Sequence, residues 1–178
     1  MPFARRANLE TEEALYEYAV NALARRMRSI AELKRLMRQR VDFESEIGKT
    51  LVELVIRKLK DQGYLNDAKY AAAFSSYRRD NEKFGRRRVI TELKVKGVHS
   101  DVIDKAVEST FDEVNEEKQA RDYLARKRLK KPTNEKETAR VFRNLVRAGF
   151  GSKTIFTILK KWDVEDETLT MLEGEGEI

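Results

Sequence analysis

The sequence contains no cysteine, one histidine, two prolines and eight glycines among its 178 residues. Without cysteine, neither a disulfide framework nor a thiolate zinc site is possible, and a reducing cytoplasm is the natural setting for such a chain. No apolar run approaches the length of a membrane span, and the first residues lack the apolar segment of a signal peptide. We therefore expect a cytoplasmic protein with no membrane contact.

The chain is rich in charged residues, which make up 38% of the sequence. Together with the scarcity of glycine and proline, this composition favours an all-α fold. The net charge of +6 is unevenly distributed: residues 163–178 contain seven acids and no base, which leaves +13 for residues 1–162. A body this basic is typical of a protein that binds polyanions.

Three glycines predict where helices end. Each follows an amphipathic segment and precedes a large apolar residue, as in the helix ending in which glycine is left-handed and the next residue contacts the last turn. The three endings and their predicted apolar pairs are Gly63 with Leu59 and Tyr64, Gly97 with Leu93 and Val98, and Gly149 with Leu145 and Phe150.

Two of these endings begin a repeated pattern. Residues 97–103 and 149–155 both contain glycine, an apolar residue, then serine and isoleucine at the same spacing, and each serine is predicted to cap the next helix. The first third of the chain fits the pattern more loosely, because no glycine precedes Val41. We predict three tandem three-helix repeats, 1–65 with an N-terminal extension, 66–113 and 114–162, forming an elongated array, followed by a flexible acidic tail at 163–178.

Two further helix starts have a capping signature. Ser29 and Glu32 have the spacing of a capping box, in which each side chain satisfies a free backbone N–H group. Asn134 and Glu137 offer a second cap after the loop at Pro132. Helices are therefore predicted to begin after Ser29 and after Asn134.

Candidates for catalysis are weak. His99 stands alone in a turn, with no nucleophile or metal partner near it in sequence. Residues 47–50, IGKT, resemble the end of a phosphate-binding loop, but the first glycine of that motif would fall at Phe43 and no strand precedes it. We predict no catalytic residue, no metal and no cofactor.

Basic clusters are the stronger signal. Three groups of cations fall around the junction of the first and second helix of each repeat, so stacked repeats would align them in a stripe. Any one cluster has the simpler interpretation of a solvated helix face, whereas three equivalent ones favour a polyanion contact, with tyrosines available to stack on bases unless they are core residues. The predicted contact residues are Arg25, Arg26, Arg28, Arg38, Arg79, Arg86, Arg87, Arg88, Lys94, Lys96, Arg126, Lys127 and Arg128.

The middle of the chain resembles a known family. The segments GYLNDAKYAAAF (63–74), FGRRRVITELKVKGV (84–98) and VIDKAV (102–107) are similar to the RecX family of bacterial recombination regulators, and weaker similarity extends to the first and third repeats. The positions on the family pattern are Gly63, Leu65, Asn66, Asp67, Tyr70, Ala71, Gly85, Arg88, Val89, Glu92, Leu93, Lys96 and Gly97. We assign structural roles to two sets of residues. Turns are shaped by Gly63, Gly85, Gly97 and Gly149, and a core is faced by Tyr70, Val89 and Leu93.

The resemblance implies three tandem three-helix repeats and a function. That function is binding to the RecA recombinase filament, in its groove, with inhibition of its ATPase and strand-exchange activities. The implied partners are the RecA filament and, more weakly, single- or double-stranded DNA, and we expect a monomer. Two features depart from the family pattern: the missing glycine before Val41 and the strongly acidic tail, which would compete for the basic surface.

The sequence is also compatible with a second functional class. Paired short helices around a glycine turn also resemble helix-turn-helix units, so the chain could be a DNA-binding module that acts without RecA. A filament regulator would bind RecA on DNA far better than bare DNA, whereas a DNA reader would prefer particular duplex sequences.

Overall fold

A computed structural model describes residues 8–165 together with 167, 168, 170 and 171. Over this part of the chain there are nine α-helices and no strand, which confirms the all-α prediction. The helices are α1 (Glu12–Arg25), α2 (Ile30–Arg38), α3 (Glu46–Asp61), α4 (Asp67–Asp80), α5 (Arg86–Val95), α6 (Ser100–Phe111), α7 (Glu116–Arg126), α8 (Glu135–Arg147) and α9 (Ser152–Lys160).

The chain divides into two compact units. Unit 1 comprises Met1–Ala71 and Lys94–Val102, and its core forms where α1, α2 and α3 bury their apolar faces. Unit 2 comprises Ala72–Leu93 and Ile103–Ile178, and its core lies among α7, α8 and α9. The middle helices α4, α5 and α6 each contribute residues to both units.

Helix starts follow the predicted caps at Ser29 and Asn134 and differ from them at Ser100 and Ser152. Ser29 caps α2 with both hydrogen bonds of the capping box, and Asn134 caps α8 by accepting from the Glu137 N–H. Ser100 is instead the first helical residue of α6. Ser152 is likewise the first helical residue of α9, and Gly151 holds the cap position there. The reason is tertiary: the Glu116 carboxylate accepts from the Gly151 N–H at 3.0 Å and from the Thr154 hydroxyl, so α9 has no need of a serine cap.

The three glycine endings are left-handed as predicted, with φ of 75° at Gly63, 73° at Gly97 and 89° at Gly149. One predicted apolar pair is wrong: Tyr64 is 64% exposed. Leu65 is buried against the unit 1 core in its place, and its N–H donates to the Leu59 carbonyl, as the Tyr64 N–H also does.

Three residues other than glycine also have positive φ: Lys83 at 57°, Arg128 at 54° and Asp163 at 56°. Arg128 ends α7 and Asp163 ends α9 with the hydrogen bonds of the glycine type: Leu129 N–H donates to Leu124 O, and Val164 N–H donates to Leu159 O. Sequence reasoning missed these two endings because it relied on glycine to find them.

The tail predicted at 163–178 lies partly outside the described residues. Within the described part, Asp163 forms an ion pair with Lys131 at 2.7 Å, and residues 167, 168, 170 and 171 are helical.

Candidate polyanion interface

Several of the predicted contact cations in unit 1 are used inside the fold. The Arg28 guanidinium donates from Nε to the Ala22 carbonyl at 3.2 Å, where it satisfies a free acceptor near the end of α1. Lys96 and Arg26 both approach the Glu32 carboxylate, at 2.8 Å and 3.8 Å. Lys96 and Arg28 are therefore better explained by folding than by ligand binding.

Glu32 is the centre of a polar network in unit 1. One carboxylate oxygen accepts from Lys96 Nζ, and the other accepts from the Tyr70 hydroxyl at 3.2 Å and from the Ser29 N–H. Burial raises the pKa of Glu32, but these bonds outweigh it and hold the pKa below its ordinary value. Burial, together with the Glu32 charge, raises the pKa of Tyr70 to about 12.

Asp67 belongs to the same junction but titrates in the opposite direction. Its carboxylate accepts from the Ile30 N–H at 2.8 Å, in the first turn of α2. Burial raises the pKa of Asp67, and the nearby Glu32 adds to that rise. The two carboxylates thus accept from different N–H groups at the start of α2. Glu32 accepts from Ser29 as the capping-box partner, and Asp67 accepts from Ile30.

Three predicted contact residues in unit 2 likewise have partners within the fold. Arg79 donates to the Thr110 carbonyl at 2.6 Å and pairs with Asp80. Arg88 donates to Glu92 at 2.8 Å and to the Arg147 carbonyl at 3.1 Å. Arg126 pairs with Glu82 at 3.0 Å. Within the described chain each of these guanidiniums has a structural partner.

The remaining predicted cations are exposed. Arg38 lies over the Phe43 ring and Lys127 over the Tyr123 ring, at 4.5 Å and 5.9 Å from the ring centroids. Five others are exposed and have no ion pair with another described residue: Arg25, Arg86, Arg87, Lys94 and Arg128. These five are the predicted residues that the fold leaves available to a ligand.

The first turn of α5 is unusual in its charge. Helix starts favour acidic side chains because the N-terminal N–H groups carry partial positive charge, yet this turn holds three arginines and no acid. Arg88 is accounted for by its carbonyl and carboxylate partners, and the Arg87 N–H donates to the Gly149 carbonyl at 3.2 Å. The side chains of Arg86 and Arg87 have no such local explanation.

Sequence reasoning missed a second set of cations on α8. Four basic residues recur at spacings of four, three and four, which places them on one helix face opposite the buried face. All four are exposed: Lys136, Arg140, Arg143 and Arg147. The spacing of these basic residues is visible in the sequence, but the contact residues were predicted only from dense runs of bases.

A depression of about 210 Å³ adjoins this row. It is lined by one acid, two apolar residues and four cations: Arg128, Lys130, Lys131, Arg140, Glu137, Leu129 and Val141. The Glu137 carboxylate accepts from the Thr133 N–H and hydroxyl at 2.8 and 2.9 Å, and these bonds lower its pKa. The acid is thus bonded to the turn before α8, and the cations around it are exposed, with Lys131 paired to Asp163.

The aromatic residues mostly serve the cores. Tyr70 and Tyr123 are buried, and Phe74 is partly buried beneath Arg78. Tyr77, in contrast, is 55% exposed. Tyr77 lies two helical turns beyond Tyr70 on nearly the same side of α4, so that side is buried near the start of the helix and exposed towards its end.

Other classes of site have little support. No group of three or more potential metal-binding side chains occurs among the residues that the structure describes. His99 is exposed, and its Nδ1 lies 3.7 Å from a carboxylate oxygen of Asp101. No described helix is long and apolar enough to cross a membrane.

The α-helices of the described chain, with left-handed glycine turns at matching positions after α5 and α8, define an all-α protein with an internal repeat. The family model described as RecX, second three-helix domain, matches residues 66–107. The regulatory protein RecX of Pseudomonas putida (strain W619) is 30% identical over 159 residues, covering 89% of this chain and 97% of the relative. That of Deinococcus radiodurans is 33% identical, covering 85% of this chain and 70% of the relative.

The chain belongs to the RecX family of regulatory proteins. The crystal structure of RecX from Lactobacillus salivarius has the same fold, with a TM-score of 0.65 at 20% identity, over 85% of this chain and 96% of that one. The chain spans only 57% and 61% of the length of the RecX relatives from Bacillus pumilus and Oceanobacillus iheyensis.

Proposed function

We propose that this protein binds the RecA–DNA filament and inhibits its ATPase and strand-exchange activities. Membership in a family of regulatory proteins supports this function over catalysis. The observation that carries it is the pair of exposed arginines, Arg86 and Arg87, in the first turn of α5, where local energetics favour acids. Guanidiniums in such a position suit the phosphates and acidic side chains of a nucleoprotein filament.

The test is a titration of the purified protein into RecA on single-stranded DNA, with ATP turnover and strand exchange followed together. We expect inhibition of both activities by the native chain. The double variant Arg86→Glu, Arg87→Glu should weaken that inhibition at least tenfold, because charge reversal turns two attractions into repulsions.

Arg88 is left unchanged in this variant because its contacts to Glu92 and Arg147 stabilise the fold. The matched control, Lys105→Glu with Lys118→Glu, makes the same change in net charge at exposed positions on α6 and α7. Equal inhibition by both variants and the native chain would contradict the proposal.

Action on DNA without RecA is the second candidate, and the exposed cation row on α8 favours it. Binding of a duplex with sequence preference, at affinity equal to that for the RecA filament, would favour this candidate. Preference for the filament at physiological salt would favour the regulator.

A further inference from the structure

Arg128 has a backbone conformation that its own side chain disfavours. It ends α7 at φ 54°, in the position where three other helices of the chain have glycine. L-residues avoid this region because Cβ crowds the following carbonyl group. Replacement by glycine would relieve that crowding, so the fold alone does not explain an arginine here.

The loop after α7 holds Arg128 outward. Leu129 packs against the unit 2 core and Pro132 is buried, so these two residues fix the loop. The residues between and before them, Arg128, Lys130 and Lys131, are exposed. This alternation presents three cations from one short, anchored segment.

Arg140 on α8 lines the same depression as these three residues. Two guanidiniums and two ammonium groups therefore line a space of about 210 Å³. The acid in the lining, Glu137, is bonded to Thr133, and one of the ammonium groups, that of Lys131, is paired with Asp163. Arginine forks match the oxygens of a phosphate group, and adjacent lysines add charge without demanding a fixed direction.

The cation row on α8 continues from this depression. Lys136, Arg140 and Arg147 lie on one face, and from the first to the last the helix rises about 16 Å. A strand of duplex DNA passes about five phosphates over that distance. A line of cations leading into a cationic depression fits an extended chain of phosphates better than one small anion.

We propose that the loop 128–131 and the exposed face of α8 form a binding site for the nucleic-acid backbone, with Arg128 and Arg140 as its central phosphate contacts. This inference rests on the proposed function, because that function is the reason for choosing nucleic acid as the ligand. The test uses DNA without RecA, so failure of this site leaves filament inhibition to be decided by its own assay.

The decisive variant is Arg128→Gly, because the proposal predicts opposite effects on stability and binding. Its urea midpoint should be equal to or above that of the native chain, since glycine suits the left-handed position. Its affinity for a fluorescent single-stranded oligonucleotide, measured by anisotropy, should fall about three- to tenfold. The slope of log affinity against log salt should become shallower by about 0.7, the value for one lost contact to a single strand.

Asp163→Gly is the matched control, because Asp163 has the same left-handed position at the end of α9 and the opposite charge. It should be tolerated equally well in urea, while its DNA affinity should stay the same or rise as Lys131 loses its acidic partner. Arg128→Lys should retain most of the native affinity, because it preserves the charge.

Three results would overturn the site. The first is native DNA affinity and salt slope in Arg128→Gly and in Arg140→Gln. The second is an equal loss of affinity in Lys105→Gln, which changes the same charge at an exposed position on α6. The third is equally tight binding of polyglutamate, which would assign the site to acidic chains in general rather than to phosphates. A duplex arm of the same assay tells which form of DNA the site prefers.

Discussion

In unit 1 the start of α2 is hydrogen-bonded to the turn at Gly97, and in unit 2 the start of α5 is hydrogen-bonded to the turn at Gly149. The two contacts use different chemical groups. In unit 1, the Ser29 hydroxyl donates to the Lys96 carbonyl at 2.6 Å, next to Gly97. In unit 2, the Gly85 N–H donates to the Ala148 carbonyl at 2.8 Å, next to Gly149. The same helix-end acceptor is satisfied by a side chain in one unit and by backbone in the other.

This difference changes what each junction depends on. The unit 1 junction is a network of side chains around Glu32, so it depends on ionisation. The unit 2 junction is a close approach of two backbones at Gly85 and Gly149, so it depends on the absence of side chains. Equivalent positions in a repeat protein thus need not tolerate the same substitutions.

The largest effect is expected from Gly149→Ala in unit 2. A Cβ at this position would lie 2.2 Å from the Arg88 nitrogen, and φ is 89°. Clash with backbone and conformational strain together should cost about 3 kcal/mol of unfolding free energy, measured in urea. Gly63→Ala is the control, since its φ is 75° but nothing lies within 4 Å of the added Cβ. It should lose only about 1 kcal/mol; equal losses at both glycines would show that the backbone approach is unimportant.

Gly97→Ala should have a smaller effect than Gly149→Ala, because the added Cβ meets a side chain. Its nearest neighbour would be the Ala31 Cβ, at 2.5 Å. We expect a loss of about 2 kcal/mol from strain and this clash. In a double-mutant cycle with Ala31→Gly, about 1 kcal/mol of the loss should be recovered as coupling energy. A cycle with no coupling would rule out the predicted contact.

Glu32→Gln should separate the two junctions by their dependence on pH. The folded state lowers the pKa of Glu32, so its contribution is present above the ordinary value of 4.5 and is lost as pH falls through the folded pKa. The variant should be less stable than the native chain by about 1–2 kcal/mol at pH 7. The difference should narrow towards pH 3 in urea titrations. A constant difference across that range would indicate that the charge of Glu32 has no role.

Tyr70→Phe should have the smallest effect at neutral pH, a loss of about 1 kcal/mol with the hydrogen bond to Glu32. The pKa of Tyr70 is raised to about 12, so the unfolded state loses the phenol proton first, near pH 10. Native stability should therefore decline between pH 10 and 12, and the variant should show a shallower decline. Parallel curves for the two proteins would contradict a buried, neutral Tyr70.

Local signals predicted the helices well because they act over a few residues. The capping box at Ser29, the cap at Asn134 and the left-handed glycines at 63, 97 and 149 each involve backbone groups within one turn. Arg128 and Asp163 escaped prediction, since nothing in their identity announces a left-handed conformation. Their place was set by Leu129 and Val164, which pack against the core that forms around α9.

The polyanion surface was predicted less well than the fold. Runs of bases identified Arg86, Arg87 and Arg128 among the exposed cations, but they also included Arg28, Arg79, Arg88 and Lys96, which bond within the fold. Arg140 and Arg147 were missed because they are spaced along a helix. The sequence gives the charge of an arginine, but it does not say whether folding places a carbonyl acceptor or solvent beside the guanidinium.

By itself the sequence determined nine helices in the described chain, the glycine ends of three of them and the excess of positive charge, because hydrophobic period, capping and composition are local properties. Tertiary structure alone decided which cations remain available, because a guanidinium is committed only when folding brings an acceptor to it. It also decided that Gly149 lies against backbone while Gly63 lies open, since a glycine's surroundings come from distant segments of the chain.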